Sequence, residues 1–202
     1  LVNDPKIPGG KSYDYGQTAD GSRAYAGGIN PAGAVRLDRD EDLTNLTTGN
    51  LNLEYRFLKD FKLAVTYGFQ STASKNETLA NPYYGDAAKI GRISNTNEND
   101  FSWTLNEILS WGKTFGDHTV DAFIAHEATK NEFDFHESGK KKLILGNVTT
   151  LDDGLIRGDI SGYRLTYAIE SYFGQARYDY QNKYYLSTSV RRDGSSRFAP
   201  DY

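Results

Sequence analysis

The chain has 202 residues, of which 38% are hydrophobic and 25% charged, and its formal net charge is −4. It contains no cysteine, which excludes disulfides and thiolate metal sites, and its acidic balance implies no general attraction to nucleic acid. No stretch reaches the roughly 18 to 20 apolar residues of a membrane-spanning helix, so a helical membrane protein is excluded. A membrane protein built from strands stays compatible, because alternating strands keep the mean hydropathy low, and here it is −0.65.

The first 50 residues are rich in glycine, proline, asparagine, aspartate and serine, and they show little periodicity. Breakers such as Pro5, Pro8 and Pro31 favour irregular backbone over this stretch. The composition predicts a loop-rich segment over residues 1–50, which a membrane barrel would place on the extracellular side.

From Leu51 onwards, apolar and polar residues alternate with a period of two, which is typical of β-strands. Hairpins are predicted near 51–70, 100–130 and 165–192, whereas the polar stretches 71–99 and 131–164 are predicted to be long loops. Aromatic residues gather near the three short turns: Phe57, Phe61, Trp111, Phe115, Tyr180, Tyr184 and Tyr185. Such a group predicts an aromatic girdle at a membrane interface.

Short turns that alternate with connections of roughly 30 residues are the pattern of outer-membrane barrels, which have short periplasmic turns and long extracellular loops. The fold class predicted for residues 51–202 is therefore all-β, an antiparallel up-and-down transmembrane β-barrel of which this chain supplies about six strands. The alternative is a soluble or surface-exposed β-sandwich that binds glycans without transport, since sandwich strands also alternate. The long predicted strands and repeated long loops count against it.

Residues 184–198 carry the most specific pattern in the chain, and they read YYLSTSVRRDGSSRF. This segment resembles the SusC/RagA-type TonB-dependent outer-membrane transporters, in which a stretch of the form YLLxAxxRRDGSSRFG precedes a loop. The final glycine of that pattern is replaced by Ala199. Weaker matches at 171–174, 58–61 and 113–116 extend the resemblance over most of residues 30–202.

The resemblance implies a 22-stranded barrel in the bacterial outer membrane, filled by an N-terminal plug, energised by TonB and capped by a SusD-like surface lipoprotein. Such systems capture oligosaccharides or peptides. Plug and TonB-box features are missing from this chain, and six strands cannot close so large a barrel, so the chain is expected to be part of a transporter. The expected partners are the lipoprotein, TonB through the missing N-terminal region, and outer-membrane lipid, but no nucleic acid.

No enzyme activity and no cofactor are predicted, because the sequence has no Gly-x-Ser-x-Gly elbow, phosphate-binding loop or dinucleotide fingerprint. No metal site is predicted either, since His118, His126 and His136 are spaced too widely along the chain.

Four arginines are candidate site residues: Arg177, Arg191, Arg192 and Arg197. Strand alternation places Arg191 on the lumen side together with Arg177. We expect these arginines to pair with carboxylates and so tie strand ends, loops and plug together. Contact with substrate or plug is the alternative role.

Three tyrosines in the predicted loops are candidate ligand contacts: Tyr83, Tyr84 and Tyr163. Flat rings in loops that face a vestibule can stack on sugars or peptide groups. Packing within the loops is the alternative.

Overall fold

In a computed structural model of the chain, the structure describes residues 2–3, 11–12, 31–83, 87, 89–144 and 150–198. Tyr84, one of the predicted ligand contacts, lies outside these residues. The chain divides into two compact units. The first comprises Leu1–Thr44, Ala73–Glu98 and Asp134–Tyr163, and the second comprises Asn45–Thr72, Asn99–Phe133 and Arg164–Tyr202.

Nearly all of the described chain is β-strand, in the order β1 (Val2–Asn3), β2 (Lys11–Ser12), β3 (Arg39–Phe57), β4 (Phe61–Ala80), β5 (Arg92–Phe115), β6 (His118–Leu143), β7 (Gly154–Tyr180) and β8 (Tyr184–Ser195). One short helix, α1 (Pro31–Leu37), precedes β3, and a 3-10 turn (Leu151–Asp153) precedes β7. Within the described residues, neither helix is long and apolar enough to cross a membrane.

The long strands form one six-stranded sheet in the order β3-β4-β5-β6-β7-β8, so that each strand pairs with its neighbours in sequence. β1 and β2 form a separate two-stranded sheet. This meander confirms the predicted all-β, antiparallel up-and-down architecture. In the described chain β3 and β8 are edge strands, each with one row of unpaired backbone groups.

The strands are longer than the sequence predicted. β3 already begins at Arg39, inside the segment predicted to be a loop, and β4 to β7 extend through most of 71–99 and 131–164. Polar side chains that pair across strands explain this difference. Asn76 donates to both Asp40 and Asp42, at 2.8 and 2.7 Å, and the Thr78 and Ser94 hydroxyls hydrogen-bond at 2.5 Å. A strand that is polar on both faces has no apolar alternation, so its composition resembles that of a loop.

Three tight turns join the strands of the second unit. Leu58 and Lys59 have positive φ angles of 48° and 63°, and Gln181 and Asn182 both have φ of 54°. Two successive positive φ angles are the signature of the turns whose twist matches that of a hairpin. The remaining turn, at Gly116, has a φ of 63°, which glycine adopts without a steric cost.

The first unit has a small apolar core formed by Leu79, Ile93 and Leu143, against which Leu151 packs. Next to it lies Asn81, which is fully buried and donates from its backbone and side-chain nitrogens to Asp38, at 2.9 and 2.6 Å. This hydrogen-bonding fixes the chain where β4 ends.

Candidate functional site

The two faces of the sheet differ sharply within the second unit. The register of β7 and β8 pairs Tyr178 with Leu186 and Gly174 with Val190 on one face, and Arg177 with Ser187 on the other. The same alternation holds in the neighbouring strands, and the first face carries these further residues: Leu53, Tyr55, Phe57, Phe61, Leu63, Val65, Tyr67, Phe69, Phe101, Trp103, Leu105, Leu109, Trp111, Phe115, Val120 and Ile124. We call it the apolar face, and we call the opposite one the polar face.

On the polar face, Arg191 is the centre of a cluster that joins three strands. Its Nε donates to Asp193 Oδ1 at 2.8 Å, and its Nη2 donates to Ser171 Oγ at 3.0 Å and to Glu127 Oε1 at 3.4 Å. The guanidinium also lies over the Phe173 ring, 4.9 Å from its centroid. Register explains the grouping, because Arg191 stands opposite Phe173 and Asp193 stands opposite Ser171.

Some of the groups around Arg191 are buried and shielded from water. Ser171 is fully buried, and the Phe173 ring meets Phe123 edge-on with centroids 6.1 Å apart. The Arg191 side chain nevertheless keeps 47% of its surface exposed. The cluster therefore holds a cation at a fixed place on the polar face, still within reach of a solute.

The other predicted arginines have different surroundings. Arg177 shares the polar face with Arg191 and lines depressions beside Asp121 and Asp179. Arg197 lies 4.6 Å from the centroid of the Tyr167 ring. Arg192 is paired with Tyr172 in the register, which places it on the apolar face, away from Arg191.

The two described tyrosines predicted to contact ligand both belong to the first unit. Tyr163 stacks on Phe135 with ring centroids 5.1 Å apart and an angle of 22° between the planes, and it stays 49% exposed. Tyr83 is half-buried, and its backbone N–H donates to Asn81 Oδ1 at 2.9 Å. The stacked Tyr163 presents an aromatic surface that a planar group could cover.

A second cluster, not predicted from the sequence, interrupts the apolar face. His126 bridges two carboxylates, with Nδ1 3.0 Å from Glu107 Oε2 and Nε2 3.2 Å from Glu170 Oε1. Tyr172 donates its hydroxyl to Glu170 Oε1 at 2.6 Å, and its ring packs against the imidazole. The signal was present in the sequence, since each residue breaks a row of apolar residues, such as Glu107 between Leu105 and Leu109. Within the described residues, no group of three or more histidine, aspartate or glutamate side chains is placed so that it could hold a metal ion.

The chain is similar to known proteins in sequence and in fold. No protein-family model matches the chain. It is similar to the TonB-dependent receptor SusC of Bacteroides thetaiotaomicron, with 26% identity over 176 residues that cover 85% of this chain and 17% of that protein. It is also similar to the TonB-dependent receptor P3 of Formosa agariphila, with 26% identity over 181 residues that cover 84% of this chain and 17% of that protein.

Solved structures show the same fold. The RagAB peptide transporter matches with a TM-score of 0.77 and 20% identity, over 84% of this chain and 19% of that one. The RagAB peptide importer in its open-open state matches with a TM-score of 0.77 and 20% identity, over 85% of this chain and 19% of that one. The chain thus spans less than a fifth of the length of its relatives. These similarities confirm the predicted resemblance, the partial barrel and the outer-membrane location.

Proposed function

We propose that this chain, a segment of the SusC/RagA-type family of TonB-dependent outer-membrane transporters, forms part of the barrel wall of a nutrient importer. In this proposal the importer takes up oligosaccharides or peptides, draws energy from TonB and works with a SusD-like surface lipoprotein. The observation that carries the proposal is a six-stranded meander with one apolar and one polar face in its second unit. A wall between lipid and a water-filled lumen requires this alternation.

The edges of the sheet support a role within a larger barrel. Backbone N–H and C=O groups that face lipid without a partner each cost several kcal/mol, so open sheet edges are not stable in a membrane. β3 and β8 would therefore pair with further strands of the full-length protein. Such closure is the usual way for a membrane sheet to remove its edges.

The β-sandwich alternative gains no support from the described residues. A sandwich requires that the apolar row of β8 packs against a second sheet. Leu186 and Val190 are instead 68% and 74% exposed, and Tyr184 is 69% exposed. In a membrane, lipid chains would cover these side chains.

Two features, one in each unit, support substrate contact. Arg191 is held by Asp193, Glu127 and Ser171 and stays partly exposed, so its remaining N–H groups can donate to a hydroxyl or carbonyl oxygen of a sugar or a peptide. The exposed Tyr163 ring offers a stacking surface for a sugar or a peptide group. Tyr83 and Tyr84 are proposed as further ligand contacts, whereas Arg177, Arg192 and Arg197 are proposed to be structural.

An uptake experiment tests this function. Cells that express the full-length protein together with a SusD-like lipoprotein would be given labelled peptides and, separately, labelled oligosaccharides. We expect energy-dependent accumulation of one class, and we expect it to stop when TonB is deleted. Recovery of the full-length protein from the soluble periplasm, or uptake that is unchanged without TonB, would contradict the proposal.

A further inference from the structure

The first unit contains a polar depression with a volume of about 470 Å³. This volume is within the range of small-molecule sites, which is roughly 300 to 1,000 Å³. Part of its lining comes from β6, where Glu137, Gly139 and Lys141 follow one another at every second position. Strand alternation places these three residues in one row on one face of the sheet. β6 ends at Leu143, just beyond the row, and the proposed function places this end on the extracellular side, where substrate arrives.

Gly139 leaves open space between the two charged side chains of the row. A Cβ at this position would lie 3.5 Å from the Ser94 Cβ and 3.6 Å from the Asp159 backbone nitrogen, so the neighbouring strands are close on both sides. Because glycine has no side chain, nothing from β6 fills the floor between Glu137 and Lys141. The row therefore presents a carboxylate and an ammonium group at the two ends of a bare stretch of backbone.

Both charged groups of the row are available to a ligand. Glu137 is half-buried, and among the described residues its side chain has neither an ion pair nor a hydrogen bond. Lys141 Nζ is 3.8 Å from Asp159 Oδ2, which is longer than a hydrogen bond, and the two side chains are 44% and 82% exposed. Water screens this pair, so the Lys141 ammonium keeps donors for a second partner. The other carboxylates of the depression, Asp38 and Asp40, already accept hydrogen bonds from asparagine side chains.

An aromatic pair continues the row beyond Glu137. Phe135 is two positions before Glu137 on β6, and the Tyr163 ring stacks on it. The faces of aromatic rings attract cations, and exposed rings also pack against apolar side chains. The Glu137 end of the row is therefore suited to an ammonium group that has a side chain next to it, as the amino end of a peptide has.

We propose that this depression binds a short zwitterionic peptide, with the amino end of the peptide at Glu137 and its carboxyl end at Lys141. Four positions of a strand extend roughly 13 Å at about 3.3 Å per residue. An extended peptide of two or three residues spans roughly 7 to 11 Å, and a hydrogen bond at each end adds roughly 3 Å. The long, flexible lysine side chain accommodates both lengths, whereas a single amino acid is too short to reach both groups.

The inference rests on the proposed function, because it selects peptides from the two substrate classes considered there. A neutral oligosaccharide can hydrogen-bond to Glu137 and Lys141 through its hydroxyl groups, but it brings no charge to either of them. A peptide with free ends adds Coulomb attraction at both ends of the row. Charge complementarity therefore favours the peptide.

The test uses the full-length protein, purified in mild detergent. Isothermal titration calorimetry measures its affinity for trialanine, N-acetyl-trialanine, trialanine amide and the neutral sugar maltotriose. Glu137→Gln removes the charge at one end of the row, and Lys141→Met removes the charge at the other. Asp152→Asn and Lys142→Met are the matched controls, because both residues are exposed parts of the first unit and neither is among the described residues that line the depression.

We expect trialanine to bind, and we expect acetylation of its amino end or amidation of its carboxyl end each to weaken binding about tenfold. Glu137→Gln should weaken trialanine by a similar factor, with no further loss on acetylation, because the group that recognises the amino end is then absent. Lys141→Met should respond to amidation in the same way. Both control variants should bind trialanine as the wild type does.

Undetectable trialanine binding, or equal affinity of the wild type for the free and the blocked peptides, would overturn the site. Maltotriose binding that is lost in both Glu137→Gln and Lys141→Met would overturn the choice of peptides. Uptake by cells separates this inference from the proposed function. TonB-dependent uptake of an oligosaccharide without trialanine binding would overturn the inference alone, whereas trialanine binding without any TonB-dependent uptake would overturn the proposed function alone.

Discussion

A lysine at Val65 should destabilise the barrel, whereas a lysine at the adjacent Ala64 should not. The two residues are neighbours in β4, and strand alternation places Val65 on the apolar face and Ala64 on the polar face. Both are half-buried, so the two substitutions differ mainly in the face that receives the charge.

The magnitude follows from the depth of the residue. Val65 is four positions after Phe61, where β4 leaves its short turn. That separation is roughly 13 Å along the strand, or roughly 10 Å along the membrane normal at a tilt of about 40°. In an apolar band about 25 Å tall, Val65 is close to the midplane, where a lysine on the lipid face costs about 2 to 4 kcal/mol.

Guanidinium unfolding of the full-length protein in phospholipid vesicles measures the difference. We expect Val65→Lys to lower the free energy of unfolding by about 2 to 4 kcal/mol. Ala64→Lys should change it by less than about 1 kcal/mol, because water in the lumen solvates the charge. Equal effects of the two lysines, or a larger effect at Ala64, would refute the assignment of the faces.

Three further predictions concern other parts of the chain. Arg191→Met should lower the free energy of unfolding, because its half-exposed ion pairs and its hydrogen bond to a buried hydroxyl are lost, whereas Arg177→Met should have a smaller effect in the same unfolding assay. Gly174→Ala should lower the free energy of unfolding by about 1 to 3 kcal/mol, because the new Cβ would lie 2.9 Å from a backbone oxygen. Gly194→Ala is the control and should be tolerated, since the atom nearest to its new Cβ is 3.7 Å away. Similar thermal midpoints for the two variants would argue against close packing at Gly174. Tyr163→Leu should reduce uptake about threefold to tenfold, since a stacking contact contributes about 0.5 to 1.5 kcal/mol to binding. Tyr163→Phe keeps the ring and should retain the wild-type uptake. Equal uptake by both variants would exclude ring stacking.

The sequence predicts the second unit well, because one apolar and one polar face leave a period-two pattern. The turns at Lys59 and Gln181 and the position of Arg191 on the polar face follow from that pattern alone. The strand extensions of the first unit do not, since polar residues on both faces have the composition of a loop. Asn76, for example, is ordered by carboxylates more than 30 positions away in sequence.

The polar cluster at His126 shows a second limit of sequence interpretation. Its partners, Glu107 and Glu170, are 19 and 44 positions away, so the contact depends on the register between strands. Alternation places each residue on the apolar face but does not show that they meet. A one-residue change of register would move them to opposite faces.

The measurement that tests the central claim most directly is a spin-label scan of β8 in the full-length protein. This segment has no cysteine, so single cysteines can be placed at each position from 184 to 190 and labelled with a nitroxide. We predict that labels at positions 184, 186, 188 and 190 collide with lipid-soluble oxygen, and that labels at 185, 187 and 189 collide with a water-soluble nickel complex. Collision rates that do not alternate with a period of two, or collisions of the labels at positions 186 and 190 with the nickel complex, would contradict the claim that β8 is a strand of a membrane barrel wall.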